Sequence, residues 1–304
     1  METRTLRETI RETTRKHVEA NNGMILGQCL SAVGWVNGTV PDVQGIVELP
    51  MTDVAGAGIA VGASIAGRRP ILVIRFQDFL LLHSSMLVCF AARRKEIFGR
   101  TAPVFVRAVG RESIGMGPTH SGKLHSTFAH FPGLRLWAPI TPDEWLECWN
   151  DYLINDDPVI CFEHASTYGN INSIDSIPNP NARIALVGIS LARMSMMEAA
   201  QNLKGSYDIE SSTFHIKRLK PLDDLAPIID EVNRCGAGLV IDSGFESCGL
   251  GRDIAYQLML STGKPVHTLG MKDTPVGCSE ATMNPTPTGD QITAKVLDIL
   301  GGSN

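Results

Sequence analysis

The strongest constraint on the fold is a regular alternation of short apolar runs with longer stretches of helical character. Runs at 24–26, 46–49, 71–76, 104–109, 134–138 and 159–162 carry at most one charged residue each. Such runs lack the polar alternation of a half-exposed strand, so they read as strands buried on both faces. A helix is predicted over 6–20, with a stop at Asn21-Asn22-Gly23. Further helices are predicted at 55–66, 84–96 and 142–154. Strands alternating with helices imply a parallel sheet with helices on both faces. The pattern breaks over 171–181, a polar stretch holding Pro178 and Pro180, which reads as a linker. It restarts with strands at 184–187, 212–216, 238–241 and 266–269, and helices at 194–203, 222–232, 252–260 and 291–300. The expectation is two doubly wound α/β domains, 1–170 and 182–304.

A chain of 304 residues can fill two cores. The net charge of -5 argues against a nucleic-acid partner. Every apolar run is too short to span a bilayer. The first 22 residues mix acids and bases without an apolar core, unlike a secretory signal, and Glu2, Glu8 and Glu12 argue against a mitochondrial presequence. The seven cysteines are scattered and form no Cys-x-x-Cys pair, which reads as reduced, mostly buried thiols in a cytoplasmic protein with no zinc site.

The stretch from Asp53 to Gly67 is rich in small residues and opens a helix after a strand. Gly56 and Gly58 suggest a dinucleotide fingerprint, with Asp78 about 20 residues on as a ribose-binding acid. Two features oppose it. The third glycine, Gly62, comes one position late, and five residues separate Pro50 from Gly56, so the tight phosphate turn is missing. The alternative is a face of small residues, Ala55, Gly58, Gly62 and Ala66, that admits another helix at close range, within the domain or across an interface.

Longer stretches carry a resemblance. The run from Leu49 through Pro50-Met51-Thr52-Asp53 to Pro70 resembles the matching segment of the beta subunits of thiamine-diphosphate-dependent 2-oxo acid dehydrogenases, those for pyruvate, branched-chain 2-oxo acids and acetoin. The stretches Ile74-Arg-Phe-Gln-Asp-Phe79, Thr119-His-Ser121, Phe128-Ala-His-Phe-Pro-Gly-Leu134 and Asp157-Pro-Val-Ile-Cys-Phe-Glu163 follow in the family's order. So do Lys217-Arg-Leu-Lys-Pro-Leu-Asp223 and Asp242-Ser-Gly-Phe-Glu-Ser-Cys-Gly-Leu-Gly251. The resemblance implies a pyrimidine-binding domain followed by a transketolase C-terminal-like domain. It also implies an alpha-type partner that supplies the diphosphate-binding domain and its Mg2+ through a Gly-Asp-Gly…Asn motif. This sequence has no Gly-Asp-Gly. An alpha2beta2 heterotetramer, and a lipoyl acyltransferase as acyl acceptor, are the implied assembly.

The resemblance also assigns roles. The family places a glutamate against the pyrimidine ring nitrogen, where its charge favours the tautomer that activates the cofactor. That position is Asp53 here, shorter by one methylene, about 1.5 Å of reach. Read from the residues alone, Asp53 is an N-cap for the helix it opens, and the two roles are compatible. Gln28 stands where the family carries an acid after its first strand. Phe79 matches the aromatic that packs on the pyrimidine, or else is an ordinary core residue. His120 matches the histidine that faces substrate, with Ser121 beside it, and Gly122 replaces the family's glutamine. His125 lies where the family has other residues and is a candidate for shaping substrate choice. His120, His125 and His130 are five apart, which is no one-face helical spacing, and no thiol or carboxylate completes a metal set, so no metal site is predicted.

Three outcomes stay open from the sequence. The first is a 2-oxo acid dehydrogenase subunit passing an acyl group to lipoamide. The second is a transketolase-like carboligase subunit moving a two-carbon unit. The third is a non-catalytic partner subunit. A dinucleotide oxidoreductase is the reading outside the family.

Overall fold

The structure is a computed structural model that describes residues 4–20, 23–32, 34–111 and 116–301. The expected stop at Asn21-Asn22 lies outside the described residues. The chain forms two compact α/β units. The first takes residues 1–173 and 218–221, and the second takes 174–217 and 222–304.

The first unit opens with α1 (Leu6–Ala20), whose Leu6 and Ile10 are buried in the core. Then come β1 (Gly23–Gln28), β2 (Ile46–Leu49), α2 (Asp53–Ile65) and β3 (Arg69–Ile74). A short 3-10 turn, Gln77–Phe79, leads into α3 (Leu80–Ser84). The helix continues through a π-helical stretch, Ser85–Ala91, into α4 (Ala92–Phe98). The unit continues with β4 (Phe105–Gly110), α5 (His125–Ala129), β5 (Arg135–Trp137), α6 (Pro142–Ile154) and β6 (Val159–His164). The strands pair in parallel in the order β2-β1-β3-β4-β6-β5. Strands β3, β4 and β6 are buried almost throughout, as their unbroken apolar runs require. Between β1 and β2, Trp35, Val36 and Asn37 adopt a left-handed turn with φ of 53°, 51° and 59°. That conformation costs L-residues roughly 1–2 kcal/mol each.

The single arginine in the β4 run is the electrostatic centre of this unit. Arg107 is fully buried and pairs bidentately with Glu163 of β6 at 2.7 and 2.8 Å. Trp145 Nε1 and Tyr168 Oη also donate to that carboxylate, and Thr39 Oγ1 accepts from the guanidinium. Two unlike charges buried together are tolerated because every lone pair has a donor.

The second unit holds β7 (Ile184–Ile189), α7 (Ala192–Tyr207) and β8 (Ser211–Ile216). The next strand, β9 (Arg218–Lys220), departs from the expectation that 182–304 is one domain. It pairs antiparallel with β5 and completes the first unit's sheet. The second unit resumes with α8 (Ala226–Cys235), β10 (Gly238–Phe245), α9 (Leu250–Thr262), β11 (Val266–Met271) and α10 (Gly289–Gly301). Its four strands are parallel in the order β11-β10-β7-β8. The stretch expected as linker is tied down in part: Ile177 bridges Thr213, and the Asn179 amide donates to Ser212 Oγ at 2.8 Å.

Only Cys148 and Cys161 are buried, which corrects the expectation of mostly buried thiols. Among the described residues no helix is long and apolar enough to cross a membrane, and no three His, Cys, Asp or Glu side chains cluster to hold a metal.

Candidate active site

In an open parallel sheet the crevice for a ligand lies beyond the carboxyl ends of the strands. In the first unit the ends of β1 and β3 open on a cavity of about 200 Å3. Its floor is Gly27 and Gln28 of β1 with Leu72 to Ile74 of β3. Its walls are Asp53 at the start of α2, Arg75, Phe76 and Phe79 after β3, His83 of α3, and His120 from a loop.

Gln28 and Asp53 meet at the first turn of α2. With its amide turned so that oxygen faces the helix, Gln28 accepts from the backbone N–H groups of Thr52 at 3.1 Å and Asp53 at 3.0 Å. These are among the four N–H groups that every helix start leaves without an internal partner. Asp53 is the first helical residue, and the residue at the cap position, Thr52, makes no side-chain cap bond. The capping role open to Asp53 in the sequence is therefore filled by Gln28. The Asp53 carboxylate is left at the cavity wall, 22% exposed, with His83 Nδ1 4.0 Å from its Oδ1.

The aromatic wall comes from the turn after β3. Phe76, Phe79 and His120 meet edge to face, with centroids 5.7 Å apart for Phe76–Phe79, 4.4 Å for Phe76–His120 and 5.4 Å for Phe79–His120. Gln77 anchors the turn. Its Nε2 donates to the carbonyls of Ala108 and Glu163, and its Oε1 accepts from the Leu124 N–H at 3.2 Å. Asp78 points at the loop that carries His120 and accepts from the Gly122 N–H at 3.0 and 2.9 Å. That contact accounts for Gly122, since a Cβ there would lie 2.6 Å from Asp78 Oδ1. It also removes the dinucleotide reading, because the acid expected at a ribose is committed to the protein backbone. The glycines of α2 follow suit. Gly56 faces Leu49 and His83, Gly58 faces Met86, and Gly62 is open.

Of the residues singled out in the sequence, Gln28, Asp53, Phe79 and His120 line this one cavity. Ser121 and His125 do not. Ser121 is buried beside His120, and His125 is fully buried at the start of α5, its ring 6.0 Å from that of Phe162. The Leu124 N–H bonds to Gln77 Oε1 at the start of α5, and the His125 ring packs in the interior, away from the lining of this cavity. His130 is exposed beside Phe131. Sequence reasoning missed His83 and Phe76. A lone histidine in Leu-Leu-Leu-His-Ser-Ser has no signal of its own, and only the packing of α3 on α2 sets it opposite Asp53.

A cavity bounded by aromatic edges on one side and a single carboxylate on another suits a flat, polar heterocycle. The transketolase pyrimidine-binding domain family matches residues 13–170, which hold every residue of this cavity. The chain belongs to that family. The beta subunit of acetoin:2,6-dichlorophenolindophenol oxidoreductase from Cupriavidus necator is 29% identical over 226 residues, covering 70% of this chain and 66% of its own length. The pyruvate dehydrogenase E1 component subunit beta of Rickettsia bellii is 26% identical over 247 residues, 76% of each chain. The likeness to thiamine-dependent beta subunits read from the residues is borne out by these relatives. Among solved structures, a split-gene transketolase described as an inactive beta4 tetramer superposes with a TM-score of 0.74 at 16% identity, over 98% of both chains. Transketolase from Campylobacter jejuni superposes with a TM-score of 0.74 at 14% identity, over 98% of this chain and 47% of its own. These two likenesses show the fold, two α/β units of the transketolase kind.

Proposed function

We propose that this chain is the pyrimidine-holding subunit of a heteromeric thiamine-diphosphate enzyme that decarboxylates a 2-oxo acid. The observation that carries the reading is the Asp53 carboxylate standing free of its helix cap, in the same cavity as Phe79 and His120. Phe79 and Phe76 would bound the pyrimidine ring by edge and face contacts, worth roughly 0.5–1.5 kcal/mol each beyond area burial. Asp53 would accept a hydrogen bond from the ring, and the low dielectric of the cavity strengthens that bond. Thiamine diphosphate supplies the carbanion chemistry, and the protein supplies position and charge. His120, with Thr119 Oγ1 2.8 Å from its Nδ1, would hold or move a proton at the substrate.

The other half of the site belongs to an alpha-type partner in an alpha2beta2 heterotetramer, and that partner would hold Mg2+ and the diphosphate. Two features support this. The sequence lacks Gly-Asp-Gly. The helices that wall the cavity, and the turn before α2, also carry exposed apolar side chains, among them Met51 at 72% in that turn and Val54, Leu81 and Phe90 on the helices, a surface that a partner would cover. A lipoyl acyltransferase would take the acyl group, and the assembly would work in the cytoplasm.

One observation favours a second reading, the transketolase-like carboligase. The loop beside His120 is built around Gly122 and Asp78, where the family resemblance implies a glutamine in place of Gly122, and an altered acceptor side of the pocket would follow. Tagged purification from the native host tests both. A co-purifying chain with Gly-Asp-Gly…Asn supports the half-site, and a lipoyl acyltransferase alongside it selects the dehydrogenase. In the reconstituted pair, Asp53→Ala should lower turnover by at least about a hundredfold. Unchanged turnover would leave the chain a non-catalytic partner.

A further inference from the structure

The cavity holds a titratable side chain to which the reading above gives no task. His83 is 5% exposed. Its Nδ1 lies 2.8 Å from the Phe79 carbonyl oxygen. A carbonyl only accepts, so Nδ1 carries the proton and the neutral ring presents Nε2 as an acceptor. That edge packs on the first turn of α2, where a Cβ at Gly56 would stand in ordinary van der Waals contact, 3.7 Å from Nε2. The imidazole is thus held between its own helix and α2, beside the one carboxylate of the cavity. Among the described residues, Cys29, Asp53, Arg75 and His120 share the cavity with it, and Asp53 is the one whose charge acts on it.

Asp53 is about 1.5 Å shorter than a glutamate at the same place, and the imidazole stands next to it. We propose that His83 is a positioning residue for Asp53, its buried imidazole standing 4.0 Å from the short carboxylate and backing it at the cavity wall. For its meaning in catalysis this rests on Asp53 as the ring-facing carboxylate. The coupling itself needs no cofactor. Burial lowers the His83 pKa, while its bond to the Phe79 carbonyl and the charge of Asp53 oppose that shift.

The direct test is a pH titration of the imidazole resonances in the full chain. The chain has eight histidines, and His83→Gln assigns the resonance by deleting it. The His83 midpoint should lie below 6.5, the ordinary value. Asp53→Asn, isosteric at a partly exposed position, should move it lower by about one pH unit, as expected for loss of a carboxylate at this range. An unmoved midpoint overturns the proposal. With the partner subunit present, His83→Gln should displace the acid limb of the kcat profile and leave KM for the 2-oxo acid within about twofold. An undisplaced limb also overturns it. A third measurement is independent of the fold of any one variant. Asp53→Glu should weaken thiamine diphosphate binding by crowding the imidazole, and Asp53→Glu with His83→Ala should recover it. Simple additivity of the two changes counts against the pair. If no partner ever brings thiamine diphosphate to this chain, the functional reading fails while the titration still reports on the coupling. If the cofactor binds and the midpoint stays put, only the role of His83 falls.

Discussion

At the scale of single residues, side chains here are explained by what faces them across the sheet, and rarely by their sequence neighbours. Gly122 is small because the Asp78 carboxylate fills the place of its side chain. Gly122→Ala should destabilise the first unit by about 1–3 kcal/mol, the cost of overpacking a filled site. Asp78→Ala should relieve part of that cost in the double variant, and chemical denaturation of the four proteins closes the cycle. Arg107 gives the opposite case. Its removal in Arg107→Met leaves Glu163, fully buried, with the Trp145 and Tyr168 donors but no counter-charge. A loss of about 3–5 kcal/mol is expected from breaking a buried pair on one side. Urea unfolding measures it, and a loss under 1 kcal/mol would mean that Glu163 takes up a proton at little cost.

At the scale of elements, the start of α2 decides the site. A helix N-terminus favours an acceptor, and the acceptor here is the neutral Gln28, reaching from the end of β1. Gln28→Ala should cost about 1 kcal/mol, the usual value of a cap. It should also loosen the placement of Asp53, so that thiamine diphosphate binding to the partner complex weakens more than the melting temperature suggests. Calorimetric titration beside thermal unfolding separates the two effects. The π-helical stretch after α3 adds a residue to the turn of a helix packed on α2, a distortion that recurs near functional sites.

At the scale of the whole molecule, stability should depend on pH through buried histidines. His17 donates from Nε2 to the Arg69 carbonyl at 2.8 Å and packs edge-on to Trp149 at 4.9 Å. Burial lowers its pKa, against the effect of that hydrogen bond, and His83 is lowered for the same cause. Below the ordinary value of 6.5 the unfolded chain binds more protons than the folded one. Stability therefore rises with pH through that window, is complete above it, and falls as pH drops below it. The melting temperature should decline between about pH 7 and 5, and His17→Gln should flatten part of the decline.

The sequence announces the α/β alternation, the place of nearly every strand, and the candidates Gln28, Asp53, Phe79 and His120. Each of these rests on local pattern or on an ordered run of residues, and a strand buried on both faces announces itself by its apolar run. It could not show β9, because three residues with two basic side chains carry no strand signal until β5 offers an edge. Nor could it show that Gln28 takes the capping role open to Asp53, or find His83. Those depend on which side chain of one element reaches another, Gln28 from β1 to α2 and His83 from α3 to Asp53. Contacts between residues distant in the chain are set by packing, and only the tertiary structure brings those groups within hydrogen-bonding or electrostatic range.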